Sequence, residues 1–406
     1  MSIIPNKYPT ATGQNATNQV QRILVFRGGA LGDFILTIPA LSSLRRRRPG
    51  TYLELAGYEK TAGLALTAGL VDRLRPLDSA RMALYFQSAC ALPPEEKKYI
   101  RSFDLIVSYL HDPEGILLNH LKDAGAKNIV AVSPLVKSGH ASEHFYNPIR
   151  NIVGDNFEHG NCKKAEPHSQ PQADPPPAGL GRPWISAGQG CPALPAQTIV
   201  SKTWSHFIKC DHGSGLPRKQ LPLSSVPDFQ ERPDVLLEWP HVLKEKARRR
   251  LCNEIGNKKA VIIHPGSGSP AKNWPAEKFA ALAGKIRNET DFEPLVIGGE
   301  ADVKEITCMR SLLPDFHIHD NLPLLEVASI LSAAGGFVGN DSGITHLAAA
   351  LGIPTVALFG PTDPAIWAPR GKNVSVIKSR LPSRDSLSEI GIEAVFQALI
   401  KTLDDN

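Results

Sequence analysis

Three glycine-containing segments carry the side chains best suited to chemistry. RGGALGD (27–33) ends in Asp33, a carboxylate ionised at neutral pH and able to take a proton from an attacking hydroxyl. HPGSGSPAKNWP (264–275) offers backbone amides around Gly266, Ser267 and Gly268 that can cradle phosphate oxygens, with Lys272 adding a point charge. GNDSGITHLAAAL (339–351) places Asp341 or Ser342 at a helix N-cap, with Gly343 beside it and His346 four residues after Ser342 on the same side. An exposed helix N-terminus of that kind binds anions. Each segment also has a plainer reading. Asp33 is favoured at a helix start by the macrodipole alone, 264–275 reads as a turn rich in small residues, and a lone helical His is often structural.

The elements that must hold these segments alternate strand with helix. ILVF (23–26) runs into the first loop, and Leu31, Ile35, Ile38, Leu41 and Leu44 then share one helical face. That helix stops at Arg45 to Arg48 and Pro49-Gly50. Strands at 51–57, 104–110 and 128–132, with helices at 58–68 and 113–123, continue the rhythm. It returns after residue 240 with helices at 241–255, 275–288, 301–313, 323–333, 342–351 and 385–403. The strands between them are 260–264, 293–298, 336–340, 355–360 and 374–378. Such alternation means parallel sheets covered by helices on both faces, an α/β protein in two doubly wound halves. In such sheets ligands bind at the carboxyl ends of the strands, where all three segments fall.

Composition bounds the rest. A chain of 406 residues exceeds what one core usually supports, and 45 Lys+Arg against 40 Asp+Glu is too mild an excess to suggest nucleic-acid binding. Six scattered cysteines argue against a disulfide framework or zinc ribbon. No uninterrupted apolar stretch of about 18 residues exists, and the first twenty residues lack a secretory pattern, so a cytoplasmic protein is expected. Residues 1–20 read as a frayed tail, 21–157 as the first domain and 234–406 as the second. Between them 158–233 is rich in Pro, Gly, Ser and Gln and reads as a disordered insertion. A small metal module from Cys162, Cys191, Cys210, His206 and His212 is the minor alternative, with spacings that match no zinc pattern.

Taken together, ILVFRGGALGDFILTIPALSSLRRRRP, VIIHPGSGSPAKNWPAEKFAALA and GFVGNDSGITHLAAALGIPTVALFGPTDP resemble the signatures of glycosyltransferase family 9, the lipopolysaccharide heptosyltransferases. HASEHFYNPI (140–149) resembles that family's exit from its first domain. The 158–233 stretch departs from it, since the family has a short linker there. The resemblance implies a GT-B architecture, two Rossmann-like domains facing across a cleft. It implies inverting transfer of a heptose from ADP-heptose to a lipid-linked lipopolysaccharide core acceptor at the inner face of the inner membrane, with no cofactor and no obligatory metal. Asp33 matches the family's proposed general base and Lys272 the lysine that meets donor phosphate. Gly266 and Ser267 lie in the donor loop, and Asp341, Ser342, Gly343 and His346 match the loop and helix start that hold diphosphate and sugar. Glu300 is the expected ribose ligand, with Glu305 its rival.

The physics suits those roles, because a leaving diphosphate gains negative charge that Lys272 and helix-terminal amides can meet. Basic runs at Arg45 to Arg48 and Arg248 to Arg250 suit an anionic membrane surface, or are simply solvated helix ends. A nucleotide-sugar-binding protein without turnover is the alternative function. A nucleotide-dependent oxidoreductase is disfavoured, because Gly57-Tyr58 supplies no acidic residue after the second strand.

Overall fold

Eleven strands among the described residues form two parallel sheets. The computed structural model describes residues 21–88, 90–153, 237–381 and 386–405. The expected tail, the whole of the 158–233 insertion and its candidate metal ligands lie outside them.

The first sheet has the order β3-β2-β1-β4-β5. Its strands are β1 (Arg22–Arg27), β2 (Tyr52–Gly57), β3 (Arg73–Pro76), β4 (Leu105–Ser108) and β5 (Ile129–Ala131). Its helices are α1 (Leu31–Arg47), α2 (Glu59–Thr67), α3 (Ala80–Ala83), α4 (Pro94–Arg101), α5 (Ile116–Asp123) and α6 (Ala141–Val153). Ile23 and Val25 of β1 point into one core with Ile35, Ile38 and Leu41 of α1. Leu24 and Phe26 point into another with Met82, Tyr85 and Ile100. A period of two with both faces apolar is what a strand covered on both sides requires.

The second sheet has the order β11-β10-β9-β6-β7-β8. It comprises β6 (Lys259–His264), β7 (Phe292–Gly298), β8 (His317–Asp320), β9 (Gly336–Asn340), β10 (Thr355–Phe359) and β11 (Val374–Lys378). Around it lie α7 (His241–Ile255), α8 (Ala276–Glu289), α9 (Val303–Leu312), α10 (Leu324–Ala333), α11 (Gly343–Ala350), α12 (Pro364–Trp367) and α13 (Ile392–Asp404). Val261 and Ile263 face a core with α8 and α13, while Ile262 faces the one shared with α1 and α11. The order reverses between β6 and β9, so the loops after those two strands flank the switch point, where α/β sheets bind ligands.

The two sheets belong to one compact unit. Helix α1 packs on α6 and on α11, and α2 packs on α10. At Leu237 the buried backbone amide donates to the Ala350 carbonyl of α11 at 2.9 Å. A second tie joins the start of α6 to the stretch after α12. His140 Nε2 lies 2.9 Å from the Ala368 carbonyl, and Arg370 donates to Glu143 at 2.7 Å.

Several expectations change. The 301–313 helix opens as a 3-10 turn at Glu300–Asp302 before α9, and the terminal helix divides into a 3-10 turn and α13 around Gly391. Arg45 is no solvated helix end. It is buried, pairs with Asp72 at 2.7 Å and donates to the Leu70 and Thr51 carbonyls. Arg250 is likewise engaged by Glu254 and Glu326.

Candidate active site

At the switch point of the second sheet, Asn340 ends β9 wholly buried. Its Nδ2 donates to the Pro265 carbonyl at 2.8 Å and its Oδ1 accepts from the Trp274 amide at 2.9 Å. One side chain therefore fixes both ends of the loop after β6. Within that loop Ser267 Oγ accepts from the Ser269 amide and lies 2.6 Å from Asn273 Oδ1. Gly266 is required by close approach, since a Cβ there would lie 1.8 Å from Asp302 Oδ1.

Ser342, not Asp341, caps α11, accepting from the Thr345 amide. That leaves the Asp341 carboxylate to other donors. Lys272 donates to its Oδ2 at 2.8 Å and Thr362 to the same oxygen at 2.7 Å, while His346 Nε2 lies 3.8 Å from Oδ1. Burial opposes ionisation, but His346, Lys272 and Thr362 outweigh it and hold the carboxyl at about 2. His346 is buried and its Nδ1 has no partner among the described residues.

Behind this layer His264, at the end of β6, sits 3.2 Å from Asp302, which also accepts from the Gly299 amide. Burial would raise the Asp302 carboxyl, yet His264 brings it below its ordinary value. Glu300 is exposed on the turn just before, and Glu305 accepts from Asn273 at 2.8 Å. Asp302 is thus the buried acidic residue after β7, whereas the expected Glu300 is exposed.

Asp33 comes to the same place from the other sheet. It sits half-buried in the first turn of α1, and that turn abuts the start of α11. A Cβ on Gly343 would lie 2.7 Å from the Leu31 Cβ and 3.0 Å from the Gly32 amide. A Cβ on Gly32 would stand 3.5 Å from the His346 ring. Two helix N-termini, each the positive end of a dipole, therefore meet beside Asp33, His346 and the Lys272–Asp341 pair. Only the Asp33 carbonyl is engaged, by Arg27 and Thr37; its carboxylate has no hydrogen-bond partner among the described residues.

The structure thus gathers Asp33, Gly343, Ser342, Asp341, His346 and Lys272 at one junction, with Gly266 and Ser267 in the adjoining loop. Sequence reasoning gave no role to Asn340, Thr362, Asp302 or Arg27. Asn340, Thr362 and Arg27 lie within the quoted motifs, but their partners could not be read from spacing. Among the described residues no group of three or more His, Cys, Asp or Glu is placed to hold a metal ion. No helix there is long and apolar enough to cross a membrane.

Comparison with known proteins fits this geometry. The model of glycosyltransferase family 9 (heptosyltransferase) matches residues 227–393, which include both loops of the second sheet. Lipopolysaccharide heptosyltransferase 1 of Escherichia coli strain RS218 is 30% identical over 384 residues, covering 93% of this chain and 96% of its own. The chain belongs to glycosyltransferase family 9. It is therefore a glycosyltransferase. The corresponding heptosyltransferase 1 of Salmonella typhimurium is 24% identical over 361 residues, covering 87% of this chain and 92% of its own. A family 9 glycosyltransferase from Veillonella parvula has a similar fold, with a TM-score of 0.64 at 17% identity over 97% of this chain and all of that one. The ADP-heptose heptosyltransferase II of E. coli gives 0.60 at 17% identity, covering 95% of this chain and 99% of that one. The shared architecture is the GT-B fold, here two parallel α/β sheets meeting at the helix starts.

Proposed function

We propose that this family 9 enzyme transfers a heptose from ADP-heptose to a lipopolysaccharide core acceptor, inverting the anomeric carbon. The observation that carries the reading is the meeting of α1 and α11. It brings Asp33, whose carboxylate has no hydrogen-bond partner among the described residues, to the N-terminus of α11. Relatives named as lipopolysaccharide heptosyltransferases, and a solved heptosyltransferase described with ADP, support the choice of donor and acceptor class.

In this reading residues 21–157 form the acceptor side and 234–406 the donor side, with 158–233 as a linking insertion. The acceptor oxygen attacks the anomeric carbon opposite the bond to ADP, its proton passes to Asp33, and the bond to the diphosphate oxygen breaks. The departing diphosphate carries the charge, which Lys272 and the amides of Ser342 and Gly343 meet. Gly266 and Ser267 shape the phosphate loop, Asp341 and His346 orient the sugar, and Glu300 reaches the ribose from the rim. The enzyme acts in the cytoplasm, peripherally at the inner membrane where its lipid-linked acceptor lies.

Mass spectrometry of the lipopolysaccharide core from a deletion strain tests this. A core lacking one heptose, restored by the gene, is the expected result. An unchanged core contradicts it.

A further inference from the structure

His264 and Asp302 lie buried behind the loop after β6, and neither has a part in the transfer itself. Asp302 stands at the N-cap of α9, where a carboxylate ordinarily accepts from its own helix, yet it caps none of those amides. Its Oδ2 instead takes the Gly299 amide at 2.8 Å and lies 3.2 Å from His264 Nε2. An ionised carboxylate only accepts, so Nε2 carries the proton and Nδ1 faces the Ser342 hydroxyl, 3.5 Å away. The pair therefore joins the end of β6, the turn after β7 and the cap of α11. A further contact is steric. The Asp302 side chain fills the space in which residue 266 would carry a Cβ, 1.8 Å from Oδ1. Gly266 is thus held between Asp302 and Asn340, whose Nδ2 reaches the Gly266 carbonyl at 3.4 Å. The Gly266 and Ser267 amides donate to no acceptor among the described residues. A loop braced on both sides with its amides left open is suited to an anion.

We propose that His264 and Asp302 are a positioning pair for the donor, holding the Gly266–Ser267 amides, the Glu300 turn and the Ser342 cap at the spacing a nucleoside diphosphate requires. This rests on the reading of 264–275 and the start of α11 as the donor site. Both side chains act through the backbone they fix. Asp302 sets Gly266 by contact and the Glu300 turn through the Gly299 amide. His264 links that carboxylate to Ser342. Removing either partner leaves the fold of the sheet intact but frees the three pieces to move relative to one another.

The test titrates ADP calorimetrically into the full chain and measures the donor and acceptor KM, for the parent, Asp302→Asn, His264→Phe, His264→Gln and Lys272→Ala. Asp302→Asn keeps the size and an oxygen for the Gly299 amide but sets an N–H group against Nε2. His264→Phe keeps a ring and loses both nitrogens. Each should weaken ADP about tenfold, the size of one lost hydrogen bond to a charged group, and raise the donor KM in step. The acceptor KM should stay at the parent value. His264→Gln, whose amide can donate to Asp302 from the place of Nε2, should recover most of the ADP affinity. A pair that serves stability alone would lower the melting temperature and leave the ADP affinity of the folded protein unchanged. That result in Asp302→Asn and His264→Phe overturns the proposal, as does failure of both to fold; if only one folds, its ADP affinity decides. A His264→Gln as weak as His264→Phe also overturns it. Lys272→Ala separates the two claims. If it keeps full ADP affinity, the donor-site reading is wrong; if it weakens ADP while the pair's variants do not, only the role of the pair falls.

Discussion

Asp33 and Asp341 both lie at the start of a helix that follows the central strand of a sheet, yet their surroundings differ. Asp341 accepts from Lys272 and Thr362 and faces His346. The Asp33 carboxylate accepts from none of the described residues. A carboxylate held at about 2 by three neighbours is a poor proton acceptor near neutrality. One with free lone pairs can still receive a hydroxyl. The half around the second sheet is thus tied together in advance about the Asp341 carboxylate, while Asp33 has its carbonyl braced and its carboxylate left open among the described residues.

Substitutions can break that division. On the proposed reading of Asp33 as the base, Asp33→Asn keeps the shape but cannot take the proton, and kcat should fall about 10²–10⁴-fold in steady-state assays, the usual range for a lost general base. On the same reading Lys272→Ala removes one donor to the leaving diphosphate, and kcat/KM should fall about 10²–10³-fold. A near-normal value there would place the donor phosphates elsewhere. Gly343→Ala tests the junction itself, because its Cβ would lie 2.7 Å from Leu31 and must push the two helix starts apart. Misplacement on that scale should lower kcat about tenfold, with circular dichroism unchanged.

The smallest effect is thermodynamic. The folded Asp341 carboxyl lies at about 2 against an ordinary 3.8, so its stabilisation is complete above the ordinary value and is lost as pH falls towards 2. The contribution is about 2 kcal/mol. Urea unfolding at pH 5 and pH 2 should show that much less acid loss in Asp341→Asn than in the parent. Equal losses would mean that the three neighbours do not stabilise the charge.

Much of the fold is legible because both sheets are buried on both faces, giving apolar runs such as AVIIH and TVALF. GFVGN and VSVIK match β9 and β11 residue for residue. The unread strands are β3, RLRP, and β8, HIHD, short outermost strands whose side chains reach solvent and so carry no apolar run. The site divides in the same way. Asp33, Lys272 and the 341–346 segment belong to local motifs, whereas Asn340 acts on Trp274 and Pro265, and Arg27 on Tyr109 and Phe145. Spacing along the chain carries no trace of such pairings.

The division of labour between the lobes is tested most directly by calorimetric titration of ADP-heptose into Asp33→Asn. The account predicts donor affinity within about twofold of the parent, because the diphosphate is held by the second lobe while only the chemical step needs the carboxylate. A donor affinity lost in step with kcat would contradict it, making Asp33 part of the donor site.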